Sequence, residues 1–136
     1  MFNLIAGKEG IGKTKRLIKM ANDEVAISNG NVIFIDDDKR HMYELKHDMR
    51  FISMEEFPVK TSDEFFGFLC GIISNNYDIE TIYIDGLQKV MKADMKDVDD
   101  FIDKTKQIAK EYKVKFVTTM SCDETRLTEK TRNSLI

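Results

Sequence analysis

Phe2-Asn3-Leu4-Ile5-Ala6-Gly7-Lys8-Glu9-Gly10-Ile11-Gly12-Lys13-Thr14-Lys15-Arg16-Leu17 is the stretch on which the fold turns. It begins as an apolar run, breaks into a glycine-rich loop and resumes with the spacing of a helix. Three of the seven glycines fall between Gly7 and Thr14, where the residues match G-x-x-x-x-G-K-[ST]. Each position has a physical use. Successive backbone N–H groups can wrap a polyanion, glycines let it approach closely, and the following helix directs its positive end at it. Lys13 offers a point charge to outer phosphates, and Thr14 offers a hydroxyl to Mg²⁺, a hard cation that keeps much of its water shell. The expected nucleotide-binding segment is therefore Gly7, Lys8, Glu9, Gly10, Ile11, Gly12, Lys13 and Thr14, with Lys15 behind it.

Working outward, four more short apolar runs qualify as strands: Asn31 to Ile35, Arg50 to Ser53, Thr81 to Ile84 and Lys113 to Thr119. Helical patterns fall between them. Thr14 to Ser28 is expected to be a helix ending at a left-handed Asn29-Gly30 cap, and Arg40 to Lys46 a shorter one. Thr61 and Glu64 form a capping-box pattern ahead of Phe65, Phe68, Leu69, Ile72 and Ile73, which share one helical face. Val98, Phe101, Ile102, Thr105, Ile108, Ala109 and Tyr112 recur at three- and four-residue steps in the last helix. Strand alternating with helix specifies an α/β fold, a mainly parallel five-stranded sheet covered on both faces, with ligands at the carboxyl ends of the strands.

The chain has 136 residues, with 21 basic and 24 acidic side chains and a net charge of −3. That length suits a single domain, 1–136. No apolar run approaches the roughly 20 residues of a membrane span, and no signal-peptide pattern opens the chain, so a cytoplasmic protein is expected. The net acidity argues against a simple nucleic-acid binder. Charge is nevertheless uneven: residues 1–20 carry five basic and one acidic side chain, and residues 104–136 carry eight and four. Cys70 and Cys122 have no zinc or disulfide spacing, and Cys70 reads as a small core residue. Neither His41 nor His47 has a metal-ligand spacing.

Strand ends supply the remaining candidates. Asp85 closes the run Thr81-Ile82-Tyr83-Ile84 and is the expected second metal-site residue beside Thr14. No second carboxylate follows it within the next three residues, so a base for water must come from elsewhere, and Asp36-Asp37-Asp38 at the end of the second run provides candidates, with Asp38 favoured and Asp37 second. Thr119 and Ser121, at the end of the fifth run, are placed to sense a terminal phosphate or orient water.

On these residues the chain resembles a RecA-like P-loop ATPase core, closest to the DnaB-type replicative helicase group. Phe34-Ile35-Asp36-Asp37-Asp38 resembles the strand whose last residue is the family's catalytic glutamate, and Ile84-Asp85-Gly86-Leu87-Gln88 resembles its Walker B segment. Gln107 to Val114 resembles the stretch before its sensor strand. The resemblance implies a three-layer P-loop NTPase fold with the first strand beside the fifth, then the fourth, second and third. It also implies ATP and Mg²⁺ as ligands. Three departures stand out: Asp38 is one methylene shorter than glutamate, Ser121 replaces a sensor glutamine, and the similarity does not extend to the DNA-binding loops, so helicase activity is not implied.

The leading expectation is Mg²⁺-dependent ATPase activity, slow in the isolated chain, in a DNA-related or regulatory setting. The alternatives are a nucleotide switch without turnover and a small-molecule phosphotransferase. The only arginine expected near the loop is Arg16, so a homo-oligomer or protein partner would complete the site, with Arg126 or Arg132 reaching across an interface.

Overall fold

The computed structural model describes residues 1–92 and 94–136. Five strands, β1 (Phe2–Gly7), β2 (Asn31–Asp36), β3 (Arg50–Ser53), β4 (Ile79–Ile84) and β5 (Lys115–Ser121), form one sheet in the order β1-β5-β4-β2-β3. Every neighbouring pair is parallel, and the order is the one the resemblance implied. The helices are α1 (Lys13–Val25), α2 (Ser62–Ser74), α3 (Leu87–Met91), α4 (Met95–Tyr112) and α5 (Glu129–Arg132).

Side-chain alternation along the strands divides the core into two layers. Leu4, Ile33, Ile35, Ile82, Ile84 and Phe116 pack with Phe65 and Leu69 of α2 and with Phe101 and Ile102 of α4. Their neighbours Ile5, Val32, Phe34, Tyr83 and Val117 pack on the opposite face with Leu17, Ile18 and Ala21 of α1. Helices therefore cover both faces of a wholly parallel sheet, as such sheets require. Among the described residues, no helix is long and apolar enough to cross a membrane.

A polar tie orients α1, the helix that carries Lys13 after the glycine-rich loop. Glu24 in its last turns accepts hydrogen bonds from the Tyr83 hydroxyl at 2.6 Å and Thr81 Oγ1 at 2.5 Å, and lies 3.4 Å from Lys115 Nζ. Burial and the Glu24 carboxylate push the Tyr83 phenol well above its ordinary range, which keeps it a donor.

Several local expectations give way. Helix α1 stops at Val25 with Ala26 as its right-handed cap, so Asn29-Gly30 does not terminate it. Gly30 is needed for close approach instead: a Cβ there would run into the Asp78 carbonyl and the Glu80 side chain. Only one 3-10 turn, Met42–Glu44, forms within Arg40 to Lys46. Side chains take the backbone groups a helix would pair: Asp38 accepts from Arg40 N, Asn22 Oδ1 accepts from Lys46 N, and Asn22 Nδ2 donates to the Glu44 carbonyl. Lys113 is the left-handed cap of α4 and not part of β5. Tyr112 is exposed and Cys70 only half-buried. Thr61 does cap α2 through the Glu64 N–H at 3.1 Å, but Glu64 Oε1 accepts from Lys60 N. The edge at β1 is covered by the chain itself, since Leu4 N donates to Ser134 O and Ile136 N to Leu4 O.

Candidate functional site

The crossovers bring the loop after β1 and the ends of β2, β4 and β5 to one end of the sheet, where a cleft of about 680 Å³ opens. Gly10 (φ 84°) and Gly12 (φ 89°) hold the left-handed conformations that let the loop curl over the start of α1. Gly12 is the N-cap, and among the described residues no side chain caps this helix, so its first N–H groups are without a side-chain acceptor. Glu9, Gly10, Gly12, Lys13, Thr14 and Lys15 all line the cleft. Gly7 and Lys8 form the loop's inner limb, and their carbonyls accept from Lys13 Nζ at 3.0 and 2.7 Å. Ile11 turns away from the cleft and helps line a separate hollow of about 290 Å³ with Arg16.

Opposite the loop stands Asp85, 8% exposed. Thr14 Oγ1 lies 3.1 and 2.9 Å from its two carboxylate oxygens and donates its proton to that pair. Thr119 Oγ1 donates to Asp85 Oδ1 at 2.7 Å and accepts from Gly86 N–H at 2.7 Å. Gly86, at φ 73°, makes the turn that aims this N–H. The fold thus joins residues from three elements into one relay, Gly86 to Thr119 to Asp85, with Thr14 on the far side. Ser121 also borders the cleft, paired in register with Gly7.

The three aspartates after β2 have different surroundings, although their carboxylate oxygens lie within 4.8 Å of one another. Asp36 is 1% exposed, and its Oδ1 accepts from Asp37 N at 2.7 Å while Oδ2 has no partner among the described residues. Burial above all, with the carboxylates of Asp37 and Asp85 adding, pushes the Asp36 carboxyl up to about 8. Asp37 lines the cleft. Asp38 is not among the lining residues: it accepts from Arg40 N and Arg40 Nε, both at 3.0 Å, and these bonds hold its carboxyl below the usual range.

Arg40 corrects the expectation that Arg16 is the only arginine near the loop. Its side chain borders the same cleft as Lys13, together with His41, Glu44 and Lys89. Lys130 instead pairs with Asp103 at 2.6 Å, and Arg132 donates to the Glu124 and Thr125 carbonyls. Sequence reasoning missed Asp36, yet a signal existed, because period-two alternation places it on the inward face with Val32 and Phe34. Nothing local marks Arg40; its loop is brought to the cleft by hydrogen bonds to Asn22 of α1.

This donor set is suited to a hard cation and a polyanion: a hydroxyl and a carboxylate on one wall, an ammonium and uncapped N–H groups on the other. Comparison with protein families and with curated proteins gives no match for this chain.

Proposed function

We propose that the chain is an ATP-binding P-loop domain of the RecA-like type with Mg²⁺-dependent hydrolytic activity. The observation that carries this reading is the pairing of Thr14 with Asp85, 71 residues apart, beside a lysine folded against its own glycine-rich loop. A surface turn with an incidental lysine has no reason to oppose a buried carboxylate from another strand. Thr14 and Asp85 would hold Mg²⁺, which when bound neutralises phosphate charge and orients the terminal phosphoryl group.

The chain's own groups do the rest. Lys13 leaves the Gly7 and Lys8 carbonyls for phosphate oxygens, and the loop N–H groups fix the anion at the helix N-terminus. Thr119 keeps Asp85 aimed at Thr14 by spending its own proton on the carboxylate. Asp37, which borders the cleft, is the carboxylate we assign to polarise water, since Asp38 is engaged by Arg40. Calorimetry with ATP and Mg²⁺ tests the binding step: the wild-type chain should bind and Lys13→Ala should lose at least about 10-fold in affinity, as expected for one charge-assisted contact. Equal binding by both proteins would refute the site. The fate of a labelled γ-phosphate then separates hydrolysis from transfer to an acceptor and from binding alone.

A further inference from the structure

Arg40 is held in an unusual way for an exposed cation. Its backbone N–H and its Nε both bond Asp38, so the root of the guanidinium is fixed. The outer nitrogen Nη2 reaches toward Asp37 Oδ1 at 3.8 Å, beyond hydrogen-bond range. The side chain is 62% exposed and borders the cleft that contains Lys13, Thr14 and Asp85. A tether at the root and an open fork at the tip suit a planar group that must meet an oxyanion with two parallel N–H bonds. Stability does not explain the arrangement, because an exposed ion pair of this kind contributes little.

We propose that Arg40 is a cis-acting anion arm of this site, which contacts the terminal phosphate of a bound nucleoside triphosphate and so distinguishes triphosphate from diphosphate. Asp38 is then a positioning residue that orients Arg40 and does not activate water. The assignment rests on the nucleotide reading above and deepens it. Turning toward a phosphate costs Arg40 little desolvation, since it is already in solvent, and the dianion is a stronger partner than the Asp37 carboxylate it leaves. It also supplies from within the chain the charge that would otherwise have to come from a neighbour.

The test is a fluorescence titration of wild type, R40A, R40K and D38N with ATP and with ADP, each with Mg²⁺, alongside turnover. R40A should weaken ATP about tenfold, the size of one charge-assisted contact, and leave ADP within twofold. R40K should recover part of the ATP affinity, because it restores the charge without the fork. D38N should lower the ATP-to-ADP preference in the same direction as R40A while retaining measurable turnover. The proposal is overturned if R40A weakens ATP and ADP equally or neither, or if D38N abolishes turnover with the preference intact. A wild-type chain that binds ADP but shows no preference for ATP overturns this assignment alone, whereas one that binds neither nucleotide overturns the nucleotide reading with it.

Discussion

The ends of β4 and β2 lie side by side in the sheet, and β2 finishes in Asp36 while Asp85 directly follows β4, yet they solve the problem of a buried carboxylate in opposite ways. At the β4 end, Asp85 receives hydroxyl protons from Thr14 and Thr119, so both oxygens are satisfied before any ligand arrives. At the β2 end, Asp36 is more deeply buried and keeps one oxygen without a partner among the described residues, and its carboxyl is pushed up to about 8. Burial above all raises the Asp36 carboxyl, with Asp37 and Asp85 adding to it, whereas the hydroxyl protons delivered to Asp85 satisfy its oxygens within the folded chain. The difference teaches that the partners of a carboxyl at a strand end are set by what the crossovers deliver beside it. Asp85 has a threonine from the strand next to it and another from the first turn of α1, whereas Asp36 has Asp37 and Asp85.

The strongest way to break this comparison is to remove the satisfied carboxylate. Asp85→Ala should lower Mg²⁺ affinity in the presence of nucleotide by about 10²-fold, the upper range for groups that orient a metal ligand. Metal titrations monitored through nucleotide fluorescence measure it directly. An unchanged Mg²⁺ requirement would make Asp85 a structural residue only.

Thr119→Val leaves the Asp85 charge in place and takes away one donor, along with the acceptor for Gly86 N–H. Because both groups are buried, a loss of about 1–3 kcal/mol of stability is expected in urea denaturation. Loss of less than about 0.5 kcal/mol would mean that water substitutes for the hydroxyl with ease.

The β2 end is sharpened by pH. In the unfolded chain Asp36 loses its proton near 4, but in the folded chain near 8, so between these values the native state holds a proton the unfolded state lacks. Stability from this group is therefore full below about pH 4 and is lost as pH rises through 8. With EDTA present, the wild-type melting temperature should fall by about 4 °C or more between pH 5 and pH 9. Asp36→Asn, which cannot ionise, should flatten that slope and melt higher than wild type at pH 9. Parallel profiles for the two proteins would refute the assignment of this pH dependence to Asp36.

The smallest effect is expected at Gly86, whose φ of 73° a side chain tolerates poorly. Gly86→Ala should cost about 1–2 kcal/mol, with little change in nucleotide affinity if Thr119 still holds Asp85. A large affinity loss at unchanged stability would instead tie the Gly86 turn to the ligand itself.

Much of the molecule was legible in one dimension because it depends on neighbours in the chain. Apolar runs of four to seven residues between amphipathic segments were enough to find every strand, and the spacing from Gly7 to Thr14 marked the loop. Asp85 could be read from its place at the end of an apolar run. What the local pattern could not decide was which partner each polar group would meet. The helix expected from Arg40 to Lys46 failed because Asn22, a residue of α1, takes the bonds that would have closed its turns. That same contact delivers Arg40 to the cleft, while Asp38, favoured from its position in the triplet, is turned to Arg40. Thr119 looked like a group for sensing phosphate, and only the parallel pairing of β5 between β1 and β4 shows it bonded to Asp85. Sequence determined the strands and the glycine-rich loop, since backbone geometry and hydrophobic period are local. Tertiary structure decided the charge, partner and reach of each side chain in the cleft, because these depend on residues far apart in sequence that meet only when the sheet closes.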